Sequence, residues 1–239
     1  MSGPASRLFA FTRNISLTRN ARRKAIEPLA FIAANTRLLP VPSLPEIRLH
    51  TAHEATGLWR LRANAEGSDP PPPYWAFPWG GGMALARFIR DRPQTVQGRR
   101  VLDLGCGSGL VGIAAMLAGA ASVTATDIDP FAVAATILNA AANSVAVTVV
   151  SEDITGQAPP AVDLVLAGDV FYEAGLAAIV TPFLDRCLAA GIAILIGDPG
   201  RIYLPWTRLR LIAEYPVPDI GKVEGAEKRP AGVYALEPG

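Results

Sequence analysis

Val101-Leu102-Asp103-Leu104-Gly105-Cys106-Gly107-Ser108-Gly109 decides the fold of this 239-residue chain. A short apolar strand runs through an acid into three alternate glycines, and an apolar helix follows from Leu110. Glycines at such a turn allow positive φ and bring the backbone close to a bound molecule. The turn also opens a helix whose first N–H groups have no partner within the helix. The next apolar stretch, Ser122-Val123-Thr124-Ala125-Thr126, ends at Asp127. An acid roughly twenty residues after the glycines is placed to hold a ribose. The pattern is that of a nucleoside-cofactor site.

Electrostatics separates the candidate cofactors. Gly107-Ser108-Gly109-Leu110-Val111-Gly112 satisfies the dinucleotide fingerprint, with Asp127 at about the expected offset. Asp103, however, lies within the same turn. A carboxylate there would repel a pyrophosphate at a cost of roughly a few kcal/mol. S-adenosylmethionine carries an ammonium and a sulfonium and no phosphate, and a carboxylate attracts both cations. S-adenosylmethionine is therefore the expected cofactor, with a nicotinamide or flavin dinucleotide as the competing reading. A glycine-rich turn without ligand would explain the glycines and neither acid.

Composition narrows the class further. Half the residues are hydrophobic and 18% are charged, which suits one α/β domain with an appendage. A net charge of +1 gives no global argument for nucleic acid or an anionic membrane, and neither is expected as a partner. The two cysteines, Cys106 and Cys187, are too few for a zinc site or an iron–sulfur cluster, so no metal is expected. Both are expected as free thiols in a reducing compartment. No uninterrupted apolar run reaches the length of a membrane-spanning helix. The first twenty-six residues lack acids and carry Arg7, Arg13, Arg19, Arg22, Arg23 and Lys24. That segment reads as a basic extension of a cytoplasmic bacterial protein, or as a transit peptide to the mitochondrial matrix.

Glu27 to Thr36 is alanine-rich and predicted helical, followed by an extended, proline-containing segment from Leu38 to Pro45. Asp69 to Pro73 forms a polyproline connector that delivers Tyr74-Trp75-Ala76-Phe77-Pro78-Trp79 to the cofactor domain. From Gly82 to Asp91 a helix is expected. Strands are then expected to end at Leu104, Asp127, Val150, Ala167 and Ile196. Helices over Leu110–Ala118, Pro130–Asn143 and Leu176–Leu188 alternate with them, and Thr207–Tyr215 with Gly232–Leu236 closes the sheet as an antiparallel pair. Apolar strands alternating with helices imply a mostly parallel sheet covered on both faces, with ligands beyond the strands' carboxyl ends.

Four blocks make the pattern specific: Asn35 to Leu38 with Pro42 to Leu49; Pro72 to Ala76 through Gly81 to Arg87; Asp103 to Gly109; and Gly168-Asp169-Val170-Phe171-Tyr172 with Ile196-Gly197-Asp198-Pro199-Gly200-Arg201. On these blocks the chain resembles the class I, seven-β-strand protein-lysine methyltransferases that use S-adenosylmethionine. Within that group it is similar to the electron transfer flavoprotein β-subunit lysine methyltransferases. The resemblance runs from about Asn35 to about Trp206. It implies a Rossmann-like seven-stranded, mostly parallel sheet with helices on both faces and a short helical N-terminal extension. The division drawn is an extension over residues 1–49 and a methyltransferase domain over 50–239.

The same resemblance assigns roles. Asp103 and the backbone of Gly105, Gly107 and Gly109 would hold the amino acid end of S-adenosylmethionine. Asp127 would hold the ribose, its competing role being a cap on the helix begun by Pro130. Asp153 would meet the adenine, with Glu152 as rival, and Trp79 would lie against the cofactor, a tryptophan face attracting a cation by roughly 0.5–2 kcal/mol. Trp75 and Phe77 are expected to plug the core, the commoner fate of aromatic side chains. Asp169 and Tyr172, in an Asp-x-x-Tyr arrangement without the prolines of amide- and adenine-directed enzymes, would orient a flexible alkyl amine. Asp169 as a plain helix cap is the alternative. Gly197 to Arg201 would border the acceptor channel, or form a simple turn with a solvated arginine. The implied partner is the electron transfer flavoprotein β subunit. A ribosomal-protein methyltransferase and a catalytically silent cofactor-binding module are the alternative functions.

Overall fold

A computed structural model describes residues 28–52, 57–58, 72–218 and 229–239. The basic first twenty-six residues and most of the polyproline connector lie outside the described residues. Within them, helix α1 covers residues 28–35, and a two-stranded antiparallel sheet follows, β1 (Arg37–Val41) and β2 (Leu44–Thr51). After a short 3-10 turn at Tyr74–Ala76 comes α2 (Gly80–Asp91). The alternation then runs β3 (Arg100–Leu104), α3 (Leu110–Leu117), β4 (Ser122–Thr126), α4 (Pro130–Ala142), β5 (Thr148–Val150), β6 (Leu164–Gly168), α5 (Ala174–Ala189) and β7 (Ala193–Asp198). Two antiparallel strands end it, β8 (Leu209–Val217) and β9 (Arg229–Leu236).

The seven-stranded sheet has the order β5-β4-β3-β6-β7-β9-β8. Strands β3 to β7 pair in parallel; β9 is antiparallel to β7 and to β8. The chain steps outward from β3 to β4 and β5, then returns to the other side of β3 with β6. That reversal opens a crevice above the carboxyl ends of β3 and β6, where open α/β sheets bind their ligands. The period-two alternation of the strands is visible in the core. Val101, Leu164, Leu166 and Leu195 join one apolar cluster beneath α2 and α3, while Leu102, Val165, Ala167, Ile194 and Ile196 join the other beneath α5. Each of the valine, leucine and isoleucine side chains among them contributes about 1.5–3 kcal/mol of burial free energy.

Two local expectations change. The segment from Leu38 to Pro45 is a hairpin rather than a single extended stretch. Pro40 sits on β1, which pairs with β2 alone, and a two-stranded ribbon tolerates a missing N–H on its free side. Ser43 takes up a φ of 66° at the tight turn behind Pro42. Strand β5 is shorter than the predicted Val145–Val150, and Val145 and Val147 pack partly buried against the core instead. The division drawn after Leu49 falls within β2, whose Leu44, Ile47 and Leu49 are buried in the same cluster as the sheet. The hairpin is held to α4 by two amides. Asn143 Oδ1 accepts from Arg48 N and its Nδ2 donates to Arg48 O, and Asn139 Oδ1 accepts from His50 N.

Candidate active site

A cleft of about 750 Å³ opens above the carboxyl ends of β3, β4 and β6. A side chamber of about 50 Å³ shares Trp79, Gly105, Gly107, Gly168 and Asp169 with it. The floor is the glycine turn, where Gly105, Gly107 and Gly109 all have positive φ, at 66°, 52° and 78°. A side chain on Gly109 would collide with Thr136 of α4. The turn is fastened from below by that helix: Thr136 Oγ1 donates to Gly107 O and Asn139 Nδ2 donates to Ser108 O. Both residues are fully buried. These two positioning residues escaped the sequence reading, although Thr136, Asn139 and Asn143 form a polar stripe on one face of an otherwise alanine-rich helix.

Asp103 lies under the turn rather than in the main cleft. It is 1% exposed, lines only the side chamber, and its Oδ2 accepts from Gly112 N at 2.8 Å. Burial pushes its carboxyl up to about 7, with the Gly112 N–H opposing and the Asp127 charge adding to the rise. The sign of the consequence is fixed. An unfolded chain releases this proton near 3.8, so the folded state holds an extra proton between the two values. Stability from this group is present at lower pH and lost as pH rises through about 7. The cofactor-free protein is expected to lose on the order of 1 kcal/mol between pH 6 and pH 8 from Asp103 alone. Urea titrations of native protein and Asp103→Asn should show a smaller gap in the variant; an unchanged gap would remove Asp103 as its source.

Asp127 stands at the cleft wall, at the tip of β4. Its Oδ2 accepts from Gly107 N and its Oδ1 from Asp129 N, both at 2.9 Å. Burial raises its carboxyl above the ordinary value, while those N–H groups work against the rise. Asp127 does not cap the helix begun by Pro130. Asp129 does, accepting from Phe131 N. Glu152 and Asp153 both line the far wall. Asp153 Oδ1 takes the N–H and hydroxyl of Thr155, which hold its carboxyl below the usual range.

The aromatic segment divides as its burial dictates. Trp75 is 1% exposed and stacks on Phe131 with centroids 5.9 Å apart, a core residue at the cleft's edge. Trp79 caps α2 and lines both spaces, its Nε1 donating to Tyr74 O at 2.7 Å. Tyr74, unassigned from sequence, packs against Trp79 and Tyr172 with centroids 5.8 and 5.4 Å away. It enters through its position beside the connector, and nothing in the sequence spacing ties it to Tyr172.

Asp169 follows β6 with a φ of 58°, a conformation that Asp tolerates better than most residues. It does not cap the helix after it, whose cap position is Glu173. Its Oδ2 instead accepts from Gly82 N, an otherwise orphaned donor in the first turn of α2. Its Oδ1 meets Arg201 Nη1 at 2.5 Å. Burial raises the Asp169 carboxyl, and the Arg201 charge opposes that rise. Arg201 is thus no solvated turn residue. The close fit depends on glycines: a Cβ on Gly81 would meet the Gly197 carbonyl oxygen, and one on Gly197 the Gly81 oxygen, both well under 3.0 Å. Tyr172 is 43% exposed at the cleft mouth, and burial of its ring side lifts its phenol above the ordinary value. Among the described residues no group of His, Cys, Asp or Glu is arranged to hold a metal ion. No helix among them is long and apolar enough to cross a membrane.

Comparison with known proteins adds to this geometry. A family model described as Ribosomal protein L11 methyltransferase (PrmA) matches residues 88–185. The chain is 38% identical over 235 residues to the electron transfer flavoprotein beta subunit lysine methyltransferase of Xenopus laevis, covering 96% of this chain and 95% of that protein. Its identity to the Danio rerio protein of the same name is 40% over 201 residues, 81% of this chain and 77% of that one. A ribosomal protein L11 methyltransferase from Methylococcus capsulatus is 64% identical over 50 residues, 21% of this chain and 17% of that protein.

Proposed function

The chain belongs to the electron transfer flavoprotein β subunit lysine methyltransferase family, and from that membership we propose that it transfers methyl groups from S-adenosylmethionine to lysine ε-amino groups of such a β subunit. The observation that carries this reading is the similarity along nearly the whole of both chains. The matches to individual ribosomal L11 methyltransferases are short, 21% and 27% of this chain, against 96% for the Xenopus laevis relative.

The cleft fits S-adenosylmethionine. Gly107, where a Cβ would meet nothing nearer than 4.0 Å, leaves room above the turn. Asp127, relieved of capping by Asp129, is free to receive ribose hydroxyls beside the hydrogen bonds it already accepts. Asp103 is assigned to the cationic amino acid end through the side chamber, and Trp79 to a place against the cofactor between the two spaces. Asp153 is assigned to the adenine, with Glu152 beside it on the cleft lining as the rival. When bound, the cofactor supplies a methyl on a positive sulfur, which keeps the electrons of the broken bond.

The chain's own residues act on the acceptor. A lysine ammonium has no lone pair, and neutralising it at pH 7 costs roughly 4–5 kcal/mol. Ile128, Leu176, Ile179 and Val180 line the cleft, and an apolar wall lowers an amine's pKa. Asp169 and Tyr172 are then the residues that orient the neutral amine for in-line attack. With Gly82 N–H on one oxygen and Arg201 on the other, Asp169 is fixed as an orienting acceptor, and the amine's proton leaves through water at the mouth. The proposed compartment is the bacterial cytoplasm, or the mitochondrial matrix if the basic first residues are a transit peptide.

Labelled S-adenosylmethionine offered with purified electron transfer flavoprotein β subunit and, separately, ribosomal protein L11 tests the acceptor. Label is expected in the β subunit. Label in L11 alone would transfer the chain to the alternative reading, and label in neither would favour the silent module.

A further inference from the structure

Five acids line the cleft, namely Asp127, Asp129, Glu152, Asp153 and Asp169, and among the described lining residues Arg201 is the one cation. Such a cleft attracts a lysine ammonium and would also keep it protonated. Arg201 is placed to counter this. Its Nη1 lies 2.5 Å from Asp169 Oδ1 and 3.3 Å from Asp198 Oδ2. Asp198 is 0% exposed and accepts from Gly200 N and Arg201 N through its other oxygen, each at 2.8 Å. The arginine is therefore anchored on a buried acid of β7 and reaches across to the loop after β6.

We propose that Arg201 is a positioning residue that acts through Asp169, holding its carboxylate in place and offsetting its charge so that the target amine can lose its proton. This rests on the lysine-methyltransferase reading. The charged groups that act on Asp169 itself are Arg201 and Asp198, from the loop after β7 and its last residue; Tyr74, Asp127 and Tyr172 line the same cleft, and Asp103 lines the side chamber. All the acids among them favour the ammonium, and only Arg201 opposes it. Burial works against the arginine's charge, but the two carboxylates hold it above its ordinary value, so the cation persists at any working pH.

The test is the pH dependence of kcat/KM for transfer to the β subunit, from pH 6.5 to 10, in native protein, Arg201→Gln and Arg201→Lys. Calorimetry with the demethylated cofactor product runs in parallel. Arg201→Gln is expected to lose at least about tenfold at pH 7, with its rising limb displaced to higher pH by about 1–3 units, the range an opposite charge at this distance produces. Loss of the carboxylate's counter-charge and retention of the amine's proton both move the limb in that direction. Arg201→Lys keeps the charge without the guanidinium fork. It should turn over more slowly with its limb near the native position, which preserves the test should the Gln variant not fold. In an Asp169→Asn background Arg201→Gln should add a smaller shift, because only the guanidinium's direct repulsion of the ammonium is then lost. An equal loss at every pH, or a shift as large without Asp169 as with it, would overturn the inference while native transfer still upheld the function. A native protein that transfers nothing overturns both.

Discussion

Asp169→Asn is expected to lower methyl transfer by about 10²-fold or more, the effect of losing an oriented reactant, while the demethylated cofactor product binds within about threefold of native. The separation follows from position. Asp169 lines both spaces, but its oxygens face Gly82 and Arg201, whereas the proposed cofactor contacts fall to Asp127 and the glycine turn, which are joined by the Gly107 N–H. An asparagine oxygen still receives the Gly82 N–H, so α2 keeps its first turn. What is lost is the charge that Arg201 holds in place. Calorimetry and single-turnover transfer on one preparation check the two halves. Equal loss of binding and transfer would make Asp169 a cofactor residue.

Gly197→Ala should be among the most destabilising single changes in the molecule, about 4 kcal/mol or a failure to fold. Ordinary overpacking costs about 1–3 kcal/mol because side chains move aside. Here the new methyl group meets the Gly81 carbonyl oxygen, a backbone atom in the first turn of α2, with Leu85 behind it. Relief requires α2 to withdraw from the sheet, carrying Gly82 away from Asp169. A folded Gly197→Ala protein should therefore also be slow, and denaturant unfolding beside a transfer assay measures both effects. Native stability in this variant would show that α2 has room to shift.

The sheet was legible because its signals are local. Glycine spacing fixed the turn after β3, and apolar runs punctuated by Asp127, Pro130 and Gly168 located the strands. For the same reason the acids at strand ends could be read as lying on the crevice side, and Asp127, Asp153 and Asp169 do line the cleft. What stayed hidden depends on distant partners. Arg201 pairs with an acid 32 residues earlier, so Pro199-Gly200-Arg201 read equally as a solvated turn. Asp169 caps a helix whose Gly82 lies 87 residues away, and from sequence it belonged to the helix beside it. The β1–β2 hairpin was obscured by its own prolines, which discourage a strand reading unless the edge is known to be free. Asn139 and Thr136 were masked by the alanines around them, although their spacing places them on one face.

The most direct measurement is tandem mass spectrometry of the electron transfer flavoprotein β subunit after incubation with this chain and S-adenosylmethionine. The expected result is methyl groups on lysine side-chain nitrogens, present only when chain and cofactor are both supplied and almost absent with Asp169→Asn. A β subunit that remains unmodified, or one that carries methyl groups on residues other than lysine, would contradict the account.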